Sequence, residues 1–336
     1  MNGYKKSMNE KFIYRSLKDF PTPKEGSVLT VGNFDGVHLG HQDIFAEARR
    51  LAHEYSLPLI GMTFDPAPVR LLFPDRAPSI LTPLNIRIKL LAEQGLDQLL
   101  IVKTTREFLA LEPAEFAEQV LIRRLTVRHI VEGPTFNFGS RRAGTMVSLE
   151  ELAERFGFQV HLMPARTVSL DEKVPVTLSS TLVRELVSNS RFSEARQCMG
   201  RDYVLAGQVV AGRGHGRELG FPTANLKLYD RDQLVPRDGV FAGWAQVGNS
   251  PEQAWEEKKR YPAAVSIGRC ESFADGQWQI EAYLLDYEPN APSLLNKHII
   301  LSLVERIRPQ QRFDSPAELT SAIEMDCKKI RGIIRL

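Results

Sequence analysis

The sequence predicts an α/β protein: a doubly wound parallel sheet in the N-terminal part, then an antiparallel β-barrel with a terminal helix. Three observations carry this. Apolar runs of strand length alternate with helical periodicity as far as about residue 190. From Tyr203 strands follow strands between Gly, Pro, Asp and Asn turns, and helical spacing returns only after Ser315. A chain of 336 residues, 43% hydrophobic and 25% charged, is long enough for two cores. The expected division is 1–190 for the α/β domain, 191–202 for a connecting helix and linker, and 203–336 for the barrel. The strand pattern alone also admits a sandwich.

Each element has a local reason. Residues 1–26 are polar, with aromatic punctuation at Phe12 and Tyr14, and are read as a lead-in that contributes an edge strand. Ser27 to Val31 is an apolar strand, and a helix begins near His41 with Ile44, Ala48, Leu51, Ala52 and Tyr55 on one face. Leu57 to Phe64 is the next strand, stopped by the prolines of Thr63-Phe64-Asp65-Pro66-Ala67-Pro68. Thr82 and Pro83 supply an N-cap and an N1 proline for a helix carrying Leu84, Ile88 and Leu91 and closed by Gly95. A strand at Leu99–Val102, a helix from Pro113 to about Arg124, a strand at Arg128–Val131 and a helix capped at Ser148 and ending at Gly157 continue the alternation. A short helix over Ser193–Met199 closes at Gly200.

The barrel strands are expected at Tyr203–Ala211, Ala224–Leu228, Val240–Val247, Ala263–Ile267, Gln277–Leu285 and His298–Ile307. Ser315-Pro316-Ala317-Glu318 then combines an N-cap, an N1 proline and a capping-box glutamate ahead of Leu319, Ile323 and Ile330.

Composition narrows the partners. Forty-three basic against 41 acidic side chains give +2, so no global basic field favours nucleic acid, and small ligands are expected instead. Cys198, Cys270 and Cys327 are odd in number and far apart, indicating neither a disulfide framework nor a zinc site. Met1 to Phe20 lacks an apolar core of signal-peptide length, and no run reaches the roughly 18 apolar residues of a membrane span. A cytoplasmic protein without membrane partners is the expectation.

The most specific stretch is Gly32-Asn33-Phe34-Asp35-Gly36-Val37-His38-Leu39-Gly40-His41, set between a strand and a helix. A helix start offers free N–H groups to an anion, and the glycines let the backbone approach it. His38 and His41 add donors to the same phosphates. Two other readings stay open: the histidines as helix caps, or as metal ligands together with Asp35. The whole string is similar to the signature of the nucleotidyltransferase superfamily.

Four further features bear on chemistry. Gly133 to Gly144 mixes Phe136 and Phe138 with Arg141 and Arg142 beyond a strand end, which suits a flat phosphorylated ligand; the other reading is rings that plug the core beside solvated arginines. Ser179-Ser180-Thr181 crowds hydroxyls at a helix start with Arg184 one turn on, more than a cap requires. Gly212-Arg213-Gly214-His215-Gly216-Arg217-Glu218-Leu219-Gly220-Phe221-Pro222-Thr223-Ala224-Asn225 is neither a Walker A loop nor a dinucleotide fingerprint. Its glycines still offer N–H groups to phosphates, and Thr223 and Asn225 alternate onto one strand face as hard oxygen ligands for Mg²⁺. Glu281 is a carboxylate within an apolar strand, either an outward charge or a positioned base.

Together these motifs, with Thr63 to Pro66, Gly239-Val240-Phe241-Ala242 and Phe313-Asp314-Ser315, resemble the bacterial bifunctional riboflavin kinase/FAD synthetase family from about Gly26 to Ile333. The resemblance implies a Rossmann-like nucleotidyltransferase domain that transfers AMP from ATP to FMN, and a barrel that phosphorylates riboflavin, both with Mg²⁺ and ATP. It implies ATP contacts in the first domain at Gly32, Asn33, Phe34, Asp35, Gly40, Ser179, Ser180 and Thr181, and flavin contacts at Asp65, Thr135, Phe136 and Arg142. His38, His41 and Arg184 become its catalytic residues. In the barrel it implies ATP contacts at Gly212, Gly216, Arg217, Gly220 and Pro222, a metal site at Thr223 and Asn225, and Glu281 as the base. The sequence departs from the family at Thr135, at Ser266 to Phe273, at Pro292 to Asn296 and at Gln310. The alternative is therefore an FMN adenylyltransferase whose barrel binds ligand but phosphorylates riboflavin weakly.

Overall fold

The computed structural model describes residues 12–170, 174–212, 216, 219–269, 278–288 and 291–334. By contacts the chain divides into two compact units, the first built from residues up to Pro78 with Arg87–Leu178 and the second from Ser79–Ile86 with the chain from Ser179 onward.

The first unit holds a six-stranded parallel sheet of β1 (Ile13–Tyr14), β2 (Ser27–Val31), β3 (Leu59–Asp65), β4 (Gln98–Lys103), β5 (Val127–Glu132) and β6 (Gln159–Leu162). Their order is β1-β4-β3-β2-β5-β6. The near-continuous apolar runs follow from burial on both faces: all of β2 and five of the seven residues of β3 are buried. The expected lead-in strand is β1, at the sheet edge on β4. Because the chain winds outward from β2 to one side and then returns to β5 on the other, the topological switch point lies between β2 and β5. Ligands of such sheets gather at the carboxyl ends of those strands. The loops there are Gly32–His38 and Gly133–Gly144.

Three local expectations are corrected. The helix after β2 spans Leu39–Tyr55, starting before His41, and buries Phe45, Ala48, Leu51 and Ala52. Ile44 stays at the rim, and Tyr55, 47% exposed, lays its ring on His129 at 4.2 Å instead of entering the core. The segment from Pro113 is α-helical only to Phe116 and widens to a π-helix over Ala117–Ile122, which turns Phe116, Ala117, Val120 and Leu121 inward. The next helix, Met146–Phe156, is capped by Thr145, whose hydroxyl accepts from the Ser148 N–H while the Ser148 hydroxyl accepts from the Thr145 N–H. A hydroxyl can close this box in place of the usual acid, so the helix starts earlier than Ser148.

His129 of β5 and His161 of β6 lie ring nitrogen to ring nitrogen at 3.1 Å. Burial holds both rings below the usual histidine range, and the neighbouring His161 depresses His129 further. The unfolded chain therefore binds more protons, so stability present above about pH 6.5 falls as pH drops through the lowered folded values. A second proton also breaks the hydrogen bond, a loss on the order of 1 kcal/mol. Urea denaturation followed by circular dichroism should show the midpoint falling between neutral and mildly acidic pH, with a shallower fall in His161→Gln. Parallel pH profiles for the two proteins would count against this pair as the source.

The second unit is a closed antiparallel barrel, ordered β10-β13-β12-β11-β14-β9 and sealed where β9 pairs with β10. Its strands are β9 (Tyr203–Val210), β10 (Ala224–Leu228), β11 (Gly239–Gly248), β12 (Tyr261–Arg269), β13 (Trp278–Leu284) and β14 (His298–Arg308), close to the expected bounds. In the first unit, the small antiparallel pair β7 (Thr167–Val168) and β8 (Val176–Thr177) had no sequence signal. Phe192, opening the helix Phe192–Met199, packs edge-on against Phe241 of β11 at 5.8 Å. The terminal helix Pro316–Ile333 is capped by Ser315 as expected. Its Ile330, with Ile334 beyond it, packs against Ala242 and Leu285 on the outer face of the barrel, and Asp326 accepts an ion pair from Arg308 at 2.9 Å.

Candidate active sites

In the first unit the residues after β2 form a tight, strained loop. Phe34, Gly36 and Val37 all have positive φ, unusual for a β-branched valine, and Phe34, Asp35, Val37 and His38 are buried. His38 caps the helix: its Nδ1 accepts the His41 N–H at 3.3 Å. The capping alternative is thus realised for His38. A ring that accepts at Nδ1 carries its remaining proton at Nε2 when neutral, which fixes the tautomer. The His41 ring stacks on His38 at 3.7 Å with 14° between planes and meets the edge of Phe34. Gly40 suits this packing, because a Cβ there would lie 3.3 Å from the His38 ring, which would have to give by a few tenths of an ångström. Among the described residues no group of three His, Cys, Asp or Glu side chains is placed to hold a metal ion.

Buried side chains hold this loop, and of these Arg87 and Glu132 belong to no motif. Asn33 is exposed, but its carbonyl accepts from Arg87 Nη1 at 3.0 Å and from the Thr63 hydroxyl at 3.3 Å. Arg87, 5% exposed, also donates to the Phe64 carbonyl, tying the β2 and β3 loops together. Glu132, 3% exposed at the end of β5, accepts the Val31 N–H at 2.6 Å, and burial pushes its carboxyl well above the usual range. Charge or hydroxyl chemistry in a strand or helix interior was the signal, but nothing local named the partner.

Of the remaining first-unit candidates, Asp65, Thr135 and Arg142 are open to solvent. Asp65 ends β3, exposed, and is joined to Pro66 by a cis peptide. Thr135 and Arg142 are exposed, while Phe136 stacks on the buried Phe138 at 5.5 Å, so in this loop the rings join the core and the arginines face water. Gly144 closes the loop by pairing with Phe138, where a Cβ would strike the ring.

In the second unit, Ser179 caps the helix Ser180–Ser188 by accepting the Leu182 N–H at 3.2 Å. Ser180 and Thr181 occupy its first turn, and Arg184 donates from Nε to the Ser79 carbonyl at 2.7 Å.

The barrel gathers a polar row on its outer face. Asn225, Glu281 and Ser266 are direct cross-strand partners on β10, β13 and β12, all half-buried, while their strand neighbours Ala224, Ile280, Ala282, Val265 and Ile267 fill the interior. Glu281 is therefore an outward charge, yet a held one: Oε2 accepts from the Thr223 hydroxyl at 3.3 Å and Oε1 from the Gln279 amide at 2.6 Å. A Cβ at Gly212 would overlap the Asn225 amide and force that side chain to move. Gly216 is likewise closed in by the Phe221 carbonyl and Thr223, Gly220 takes φ +84, and Pro222 is exposed. Arg217 lies outside the described residues, as do Cys270 to Phe273. Two of the departures, Gln310 and Ser266, are bonded to each other at 2.8 Å. Pro292 borders a cavity of about 250 Å³ also lined by Lys259, Tyr261, Tyr287 and Lys297.

Residues 20–178 match the FAD synthetase family and residues 199–334 the riboflavin kinase family. The bifunctional riboflavin kinase/FMN adenylyltransferase of Escherichia coli (strain K12) is 35% identical over 304 residues, 90% of this chain and 91% of that protein. The chain belongs to this bifunctional family. It is therefore an enzyme that carries both an FAD synthetase and a riboflavin kinase domain, and the second match does not favour a barrel with weak or no kinase activity. The family member of Pseudomonas fluorescens is 33% identical over 322 residues, covering 96% of this chain and 97% of that one. A crystal structure titled as a macrolide-efflux protein from Streptococcus pneumoniae superposes with a TM-score of 0.80 at 28% identity, covering 95% of this chain and 98% of that one. Among the described residues of this family member, no helix is long and apolar enough to cross a membrane.

Proposed function

We propose that the two reactions run in sequence on this chain and that the motif residues carry them as follows. In the barrel, the riboflavin 5′-hydroxyl oxygen attacks the γ-phosphorus of ATP, Glu281 takes the hydroxyl proton, and ADP leaves. Gly212, Gly216, Arg217, Gly220 and Pro222 line the ATP phosphates. Thr223 and Asn225 would hold Mg²⁺; their oxygens beside Glu281 are the hard donors that ion takes, and it supplies neutralising charge on the phosphates. The observation that carries this reading is the cross-strand row of Asn225 and Glu281, with Thr223 bonded to the same carboxylate.

In the first reaction's successor, a phosphate oxygen of FMN attacks the α-phosphorus of ATP and pyrophosphate leaves. His38 and His41 offset the charge that builds on the phosphorus, and Ser180, Thr181 and Arg184 bind the outgoing phosphates. Gly32, Asn33, Phe34, Asp35, Gly40 and Ser179 contact ATP, and Asp65, Thr135, Phe136 and Arg142 contact the flavin. Support comes from the stacked histidines at the strand switch point. The domain boundaries follow the change of texture: 1–190 for AMP transfer, 191–202 as the connection, 203–336 for the kinase. A cytoplasmic location fits the small-molecule substrates.

Purified protein given riboflavin, Mg²⁺ and ATP should form FMN and then FAD, with ADP and pyrophosphate released. Formation of FAD from supplied FMN but no FMN from riboflavin would overturn the kinase half.

A further inference from the structure

The two strands that flank the switch point part company before their ends. Pairing of β2 with β5 runs from Ser27↔Val127 to Leu29↔Ile130. On its other side β2 stays bonded through its last residues, with Val31 opposite Met62 and the Gly32 N–H donating to the Met62 carbonyl at 3.0 Å. Successive N–H groups of a strand point to opposite neighbours, so the Val31 N–H points toward β5. Among the described residues the β2–β5 ladder ends at Leu29↔Ile130, before a main-chain carbonyl of β5 could receive it. The Glu132 side chain does, at 2.6 Å, while the Glu132 main chain is turned to β6, opposite Leu162 and accepting the Met163 N–H. We propose that Glu132 is a positioning residue for AMP transfer: its side chain stands in for the missing strand partner, bridges the split between β2 and β5, and so fixes where the Gly32–His41 loop begins. The inference rests on reading that loop as the AMP-transfer site.

The bracket needs an acceptor and not a charge. A buried carboxylate beneath a polyphosphate would repel it, and burial favours the neutral acid here. Glu132→Gln keeps a carbonyl for Val31, whereas Glu132→Val removes it and leaves a buried N–H unmet. Displacing reacting groups by about 1 Å costs about 100-fold. Glu132→Val should therefore lower kcat for FAD formation about 10- to 100-fold with KM for ATP within about threefold, and Glu132→Gln should restore kcat to within about threefold of the parent. A valine variant as fast as the parent, or a glutamine variant as slow as the valine one, overturns the proposal. If Glu132→Val fails to fold, seen by circular dichroism, amide exchange in the unaltered protein decides. A Val31 amide as protected as that of Leu29 supports the bracket, and rapid exchange overturns it. A parent protein that makes no FAD would sink the reading of the loop, while the exchange result would still decide the bracket.

Discussion

Replacing His41 by alanine is expected to lower FMN adenylylation by about 100- to 1,000-fold, the range for removing one preorganised donor from a developing charge. The choice of His41 over His38 follows from the structure. His38 is the N-cap of the helix Leu39–Tyr55, so its loss would also cost about 1 kcal/mol of helix stability and confuse the two effects. His41 lies one turn inside, half-buried, with its ring stacked on His38 and edge-on to Phe34. Its removal leaves the cap acceptor and the backbone N–H in place. Pyrophosphate release with FMN and ATP is the measurement, and riboflavin phosphorylation by the same preparation should be unchanged. Equal pyrophosphate release in variant and parent would remove His41 from the mechanism.

Glu281→Gln should lower riboflavin phosphorylation by about 100- to 10,000-fold, the usual contribution of a positioned base, while ATP binding changes by less than about threefold. The hydrogen bonds sharpen the expectation. Both carboxylate oxygens of Glu281 accept, one from Thr223 and one from Gln279. An amide at this position has one acceptor and one donor, so either Thr223 or Gln279 then faces a donor and must turn away. Glu281→Asp keeps two acceptors but retracts them by one methylene, and should fall between the parent and the glutamine variant. AMP transfer to supplied FMN serves as the internal reference. A kinase rate unaffected by Glu281→Gln would show that another group takes the proton.

The sequence by itself determined the strand and helix alternation of the first unit, the barrel strands to within a few residues, and the caps at Ser179 and Ser315. These are local properties: periodicity reports which side of an element faces the core, and a hydroxyl before a helix finds its partner three residues on. The stacked pair His38 and His41 was legible for the same reason, since one helical turn separates them. Tertiary structure alone decided which buried polar groups hold those motifs in place. Val31 and Glu132 are 101 positions apart, Asn33 and Arg87 are 54 apart, and Thr223 and Glu281 are 58 apart. Such partners meet only when strand order, register and crossover are settled, and a buried N–H or carboxylate takes whichever acceptor or donor that register delivers.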